Sequence, residues 1–168
     1  MRTIVLGLGN PILRDDGAGW RVIQEIQTQL AQRPLPAQEA APVEFDQFSL
    51  GGLSLMERLV GYDCAVLVDA IQTPGGLPGT LYRLTLDDLP TLHANSAHDA
   101  SLPVALTLGR QLGAKLPARI VIYAIEAVNV LDFGEELSPE VAAGVGAAAQ
   151  AVLAEIDPSL PGEPSPRV

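Results

Sequence analysis

The chain has few cysteines and few basic residues. Its 168 residues include a single cysteine, Cys64, which excludes an intrachain disulfide and a cysteine-rich metal site. Lysine and arginine together number 10 against 20 aspartates and glutamates, so the net charge is −10. Because phosphate contacts dominate nucleic-acid binding, this charge balance argues against a nucleic-acid partner.

Long apolar runs are also missing. The longest run of small apolar residues, 141–154, is interrupted by Gln150. It falls short of the ~20 residues that cross a bilayer. The residues after Arg2 show neither the apolar core nor the cleavage site of a signal peptide. We therefore expect no membrane association and a soluble, cytoplasmic protein.

Motifs for nucleotides and for common nucleophiles are absent. Gly7-Leu8-Gly9 follows an apolar run, but the third glycine of a dinucleotide-binding motif would fall at Ile12. The sequence contains neither a GxxxxGK[ST] phosphate loop nor a GxSxG nucleophile motif. Cys64 opens an apolar run with no basic residue to stabilise a thiolate, so we interpret it as an inert core residue.

What the chain does contain is apolar periodicity. Hydrophobic residues make up 48% and charged residues 18%, which is typical of a packed domain. Continuous apolar runs indicate strands that are buried on both faces, and three- and four-residue spacing indicates helices. The predicted strands are 3–8, 43–48, 64–68, 81–86 and 120–125, and the predicted helices begin near residues 18, 53, 102 and 139.

This alternation of strands and helices predicts the fold class. We expect a single α/β domain over residues 1–156, with a twisted, mostly parallel sheet of about five strands and helices on both faces. Ser138-Pro139-Glu140 predicts an N-cap, a first-turn proline and a first-turn acid for the last helix. Residues 157–168 contain four prolines and no periodicity, which predicts a disordered tail.

Three polar side chains lie beyond predicted strands or ahead of a predicted helix. Asp16 follows the first predicted strand, and Asp69 ends the third. His98 lies in the loop before the predicted helix that begins near residue 102. Ligand sites of α/β sheets lie beyond the carboxyl ends of the strands. Two oxygens and one nitrogen suit a borderline divalent ion and leave positions open for water or substrate.

Each of these residues also has a purely structural interpretation. Asp16 could simply favour the start of a helix, and His98 could be a hydrogen-bonding loop residue. A structural role is harder to assign to Asp69, because burying a carboxylate without a partner is costly. His93 has no apolar context, and we interpret it as an exposed residue without a role in the site.

Several short motifs follow one another along the chain. The most specific is Leu6–Asn10 followed by Asp15–Gly19. After it come, in order, Gly51-Gly52, Val68-Asp69-Ala70, Pro78-Gly79, residues 98–102 and Phe133-Gly134. In these residues the chain resembles the hydrogenase maturation proteases, which trim nickel–iron hydrogenase large subunits. The resemblance spans residues 1–156.

The resemblance implies a site and a reaction. The metal-contacting and catalytic positions of the family fall on Asp16, Asp69 and His98, and the implied activity is that of an aspartyl-type endopeptidase. Family members remove a C-terminal extension from the large-subunit precursor after nickel insertion. The nickel is carried by the substrate and serves as the recognition signal, so no permanent catalytic metal is expected. The implied partner is this precursor, and we expect the chain to be a monomer.

Two alternatives stay open at this point. The segment 7–11 also resembles the opening of bacterial peptidyl-tRNA hydrolase, but the Thr-Arg-His-Asn signature of that family is absent and the charge is wrong for tRNA. A non-catalytic chaperone could read the metal of the precursor with the same three ligands. In addition, residues 124–127 depart from the Gly- and Pro-containing segment typical of the family, which leaves the cognate hydrogenase open.

Overall fold

Three almost wholly apolar segments form the centre of one β-sheet. They are β1 (Thr3–Leu8), β3 (Cys64–Ile71) and β5 (Arg119–Glu126), and nearly every residue in them is buried. β1 and β5 each pair in parallel with β3. A parallel sheet is covered by helices on both faces, and this explains why the three segments are continuously apolar in the sequence.

Two further strands form the edges of the sheet. β2 (Val43–Phe48) pairs in parallel with β1, and β4 (Leu81–Leu84) pairs antiparallel with β5. The strand order is β2-β1-β3-β5-β4, so the predicted fold class, a mostly parallel sheet of five strands, is confirmed. The predicted strand 81–86 is two residues too long. The backbone N–H and the hydroxyl of Thr85 both donate to the Asp88 carboxylate, and this turns the chain after Leu84.

The computed structural model describes residues 1–32, 42–88 and 102–157. Apart from Asp157, the predicted tail 157–168 lies outside these ranges. Within them, no helix is both long enough and apolar enough to span a membrane.

Helices cover both faces of the sheet. α1 (Ala18–Gln32) and α4 (Pro139–Ile156) share one core with residues such as Val66. α2 (Gly52–Arg58) and α3 (Leu102–Gln111) share the other core with residues such as Leu67. Successive residues of a strand point to opposite faces, so each central strand supplies both cores. Helices on both faces were predicted, and the prediction is confirmed.

A close backbone contact holds the start of α1 on the sheet. Gly19 lies so near the strands that a Cβ atom there would be 2.3 Å from the carbonyl oxygen of Val68 and 2.6 Å from that of Leu8. Gly7 lies opposite, and a Cβ on it would be 2.3 Å from the carbonyl oxygen of Gly19. Only glycine fits at these positions. The chain just before α1 is therefore held against the carboxyl ends of β1 and β3.

A cluster of charged and polar side chains joins the end of α4 to strands β4 and β5. The Glu155 carboxylate accepts hydrogen bonds from Arg83, Arg119 and Tyr123. Burial, together with the hydrogen bond to Glu155 and its charge, raises the pKa of Tyr123 to about 12. Nearby Cys64 is buried, as predicted, and burial raises the pKa of its thiol despite the opposing charge of Arg119. A thiol that stays protonated is a poor nucleophile.

The contact at Gly19 gives a stability prediction. Gly19→Ala should lower the free energy of unfolding by roughly 1–3 kcal/mol, because the added methyl group has no space between α1 and the strands. The matched control is Gly146→Ala, in an exposed part of α4 where a Cβ would meet nothing within 4 Å. That variant should gain up to about 1 kcal/mol from the higher helix propensity of alanine. Urea denaturation of both variants measures the difference, and equal stabilities would contradict the packing described.

Candidate active site at the carboxyl edge of the sheet

Asp69 lies within a strand rather than at its end. The prediction that the third strand terminates at Asp69 is wrong, because Ala70 and Ile71 continue the pairing with β5. The neighbouring strand β1 pairs with β3 only as far as Val68. Asp69 is 1% exposed, and its Oδ1 accepts the backbone N–H of Ala70 at 2.8 Å. The carboxylate is therefore buried one residue beyond the last pair that β3 makes with β1.

Asp16 lies in the loop that follows β1. It belongs to the 3₁₀ turn Arg14–Gly17, directly before α1. Its half-buried carboxylate binds the loop behind it, since Oδ2 accepts the N–H of Asn10 at 2.7 Å. Gly9, with φ +109°, permits this closure, because a Cβ there would be 1.8 Å from the carbonyl oxygen of Asp16. The loop thus holds the Asp16 carboxylate in one position.

The structure brings two of the three predicted site residues to the same edge of the sheet. The 3₁₀ turn that carries Asp16 contacts β3, and Gly19 lies against the backbone of residue 68, next to Asp69. His98 and His93 lie outside the described residues. Within the described ranges, no group of three or more histidine, cysteine, aspartate or glutamate side chains could hold a metal ion. The described part of the chain therefore supplies two carboxylates to the predicted ligand set.

Asp15 is an important residue that the sequence analysis did not single out. It is 0% exposed, and its carboxylate accepts four hydrogen bonds. The donors are the N–H groups of Val128 and Asn129, each at 2.9 Å, and the N–H and hydroxyl of Ser138 at 2.6 and 2.8 Å. The only signal in the sequence was the Asp15-Asp16 pair, because the donors lie more than a hundred residues away.

These bonds also change the interpretation of Ser138. Ser138 precedes Pro139 at the start of α4, as predicted, but its side chain makes no capping hydrogen bond to the helix. The hydroxyl donates to Asp15 instead. Ser138 therefore fixes the start of α4 to the loop that carries Asp16.

Backbone hydrogen bonds continue this connection along the loop. Leu13 and Gly134 form a parallel bridge, with the N–H of Arg14 donating to Gly134 at 2.8 Å and the N–H of Gly134 donating to Ile12 at 2.9 Å. The N–H of Asp15 donates to the carbonyl of Asn129 at 3.0 Å. The loop after β1 and the loop 128–138 after β5 are therefore one hydrogen-bonded unit. Asp16 directly follows the bonded residues of the first loop.

Arg14 has a strained backbone and, within the described ranges, an unpaired side-chain donor. Among the described residues it is the only non-glycine with a positive φ, +47°, a conformation that costs about 1–3 kcal/mol. Its side chain lies along Gly134. Its Nε is buried and has no hydrogen-bond partner in the described part of the chain. Leaving a buried donor unsatisfied costs a further ~1–3 kcal/mol.

Glu126 is a second buried acid that the sequence analysis did not assign. It is the last residue of β5, and its carboxylate accepts the N–H and the hydroxyl of Thr73 at 2.7 and 2.8 Å. Gly76 packs directly on it, since a Cβ there would be 2.2 Å from the carboxyl carbon. Burial raises the pKa of neighbouring Tyr82, and the charge of Glu126 adds to the rise. Glu126 therefore shapes the loop that follows β3 at the same edge.

Solved structures with this backbone define the class of protein. The hydrogenase maturating endopeptidase HybD from Escherichia coli superposes with a TM-score of 0.75 and 29% identity, over 95% of this chain and 94% of that one. The [NiFe] hydrogenase maturation protease HybD from Thermococcus kodakarensis superposes with a TM-score of 0.65 and 26% identity, over 94% and 100%. The chain has the fold of these endopeptidases.

The sequence comparisons identify the family. The family model for hydrogenase maturation proteases matches residues 45–155, and the chain belongs to that family. It is 28% identical to the hydrogenase 2 maturation protease of Escherichia coli K12, over 93% of this chain and 91% of that protein. It is 27% identical to the hydrogenase expression/formation protein HupD of Thiocapsa roseopersicina over 82% of this chain, and the match spans 60% of HupD. The predicted relationship is confirmed, and at the level of the family so is the prediction of a protease.

The bonds of Asp15 give a second stability prediction. Asp15→Asn should lower the free energy of unfolding by roughly 2–3 kcal/mol, because an amide offers one acceptor oxygen where four donors converge. Ser138→Ala is the matched control: it removes one of these donors, keeps the backbone N–H, and should cost only about 1 kcal/mol. Chemical denaturation compares the two variants. A smaller loss in Asp15→Asn than in Ser138→Ala would contradict the central role given to the carboxylate.

Proposed function

We propose that the chain is the endopeptidase that removes the C-terminal extension of a nickel–iron hydrogenase large-subunit precursor after nickel insertion. One observation carries the proposal beyond family membership: the carboxylate of Asp69 is buried inside a strand, at the edge where the turn with Asp16 contacts that strand. Ligand sites of parallel α/β sheets lie beyond the carboxyl ends of the strands, which is where both acids are found. Two carboxylates on neighbouring elements at this edge suit a ligand that carries positive charge.

In this proposal the nickel belongs to the substrate. Asp16, Asp69 and His98 would contact the ion while the precursor still holds it. Two carboxylates and an imidazole are suitable ligands for such an ion, and without thiolates they leave coordination positions for the precursor's own ligands. Binding through the metal would orient the adjacent peptide for attack by water, which lowers the entropic part of the barrier. A carboxylate at this position could also accept a proton from the attacking water.

The first test replaces the two carboxylates. Asp16→Asn and Asp69→Asn should each lower the kcat for precursor cleavage by about two orders of magnitude or more, because each removes a charge that the substrate complex needs. Glu57→Gln, which neutralises an exposed acid on α2, should retain full activity. Cleavage is measured by gel electrophoresis of the purified precursor, and the urea midpoint of each variant verifies its fold. Normal cleavage by folded Asp69→Asn would remove Asp69 from the site.

The second test concerns the source of the metal. Metal-stripped protein should cleave the nickel-loaded precursor and leave the nickel-free precursor intact, because only the loaded form presents an ion to the two carboxylates. Equal cleavage of both forms, or cleavage that depends on zinc added to the protease, would contradict the proposal. Binding of the loaded precursor without cleavage would favour the metal-reading chaperone instead.

A further inference from the structure

Exposed apolar side chains are concentrated at the edge that carries Asp16 and Asp69. Large apolar side chains that face solvent usually mark an interaction site when they are contiguous. In the described part of the chain, seven of the twelve large exposed apolar residues follow the carboxyl ends of strands, in loops or in the first turn of α2. They are Ile12, Leu50, Leu53, Leu77, Val128, Leu131 and Phe133.

The most exposed of these residues are presented by an ordered loop. Leu131 and Phe133 are 82% and 81% exposed. The side-chain oxygen of Asn129 accepts the N–H of Leu131 at 3.1 Å, and Gly134 is bonded to Ile12 on the other side. The hydrogen bonds of Leu131 and Gly134 fix the backbone on both sides of Phe133, whose side chain faces solvent. A large aromatic side chain presented in this way suits an intermolecular contact.

Arg14 lies beside part of this apolar group, two residues after Ile12. Its side chain runs along Gly134, the residue after Phe133, and its Nε has no partner in the described ranges. Arg58, Arg83 and Arg119, by contrast, are all paired with carboxylates. The structure shows no hydrogen bond or ion pair of the Arg14 side chain within the described ranges. Nε itself is enclosed, so a partner from another molecule would bind the terminal N–H groups of this partly exposed side chain.

The chemistry of that partner follows from the guanidinium. Its fork of N–H groups matches a carboxylate, which accepts two parallel hydrogen bonds and neutralises the charge. The chain carries a net charge of −10, so an acidic peptide is repelled by most of its surface. Arg14 is a fixed cationic position on that surface, two residues from Asp16.

We infer that Arg14, Ile12 and Phe133 form a recognition surface that binds a carboxylate of the precursor together with an adjacent apolar side chain. The inference rests on the proposed function, because it takes the precursor as the occupant. The carboxylate comes either from an acidic side chain near the cleaved bond or from the C-terminus of the extension. Binding at Arg14 sets which stretch of the precursor lies over Asp16 and Asp69.

The decisive variant is Arg14→Gly. Glycine adopts φ +47° without strain, so this variant removes the guanidinium and retains the fold. Its Kd for the nickel-loaded precursor and its KM for cleavage should both rise roughly 10- to 100-fold, with kcat within about twofold. Arg14→Lys should recover part of the affinity, and Arg110→Gln, an exposed arginine in the last turn of α3, should behave as wild type. A Kd and KM of Arg14→Gly within twofold of wild type would overturn the inference.

Variants of the precursor identify the carboxylate. One arm changes each acidic residue near the cleaved bond to its amide, and a second arm carries an amidated C-terminus. One of these changes should weaken binding to wild type as much as Arg14→Gly does, with no further loss when the two are combined. If no precursor change has an effect, the carboxylate assignment is overturned.

The binding assay separates this inference from the proposed function. A wild-type protein that binds the loaded precursor without cleaving it would overturn the proposed function, and weaker binding by Arg14→Gly would still support the inference. Cleavage that is equally efficient in wild type and Arg14→Gly would support the function and overturn the inference. A wild-type protein that neither binds nor cleaves the precursor would overturn both.

Discussion

The carboxylate of Asp15 connects three parts of the molecule that are distant in the sequence. Its donors come from Val128 and Asn129 after β5 and from Ser138 at the start of α4, while Asp15 itself belongs to the loop after β1. Because it is fully buried, these bonds are protected from competition with water. The residues on either side of it, Arg14 and Asp16, are therefore presented at fixed positions. The candidate site and the inferred recognition surface both depend on this one acid.

A second constraint places this loop relative to the sheet. The contacts of Gly19 with β1 and β3 leave no space for a side chain, so α1 begins directly on the strands. Asp16 precedes that contact by three residues, and Asp69 follows Val68, whose carbonyl takes part in it. Backbone packing by glycine brings their elements together. The same packing explains why the loop that carries Asp16 lies next to the part of β3 that carries Asp69.

Much of this arrangement could be predicted from the sequence, and the reasons for the failures are specific. The spacing of apolar residues predicted the five strands and four α-helices of the described ranges, but not the 3₁₀ turn that carries Asp16. The rule on strand ends directed attention to Asp16 and Asp69. The end of β3 was misplaced because an aspartate inside a buried strand resembles a terminator, whereas its continuation depends on pairing with β5. The role of Asp15 depends on donors more than a hundred residues away, and the left-handed backbone of Arg14 leaves no trace in composition or spacing. The contribution of His98 stays a prediction.

The attachment of α4 has a consequence for how a partner binds. Its first turn is fixed through Ser138 to Asp15, and its last turn through Glu155 to Arg83 and Arg119 on two strands. A helix tied at both ends cannot slide along the sheet, so the loop before it keeps its shape when another molecule arrives. In the proposed complex this part of the protein would act as a rigid template, and the conformational entropy lost on association would fall mainly on the bound segment of the precursor. Affinity would then depend on how readily that segment becomes ordered, which makes its flexibility part of the recognition.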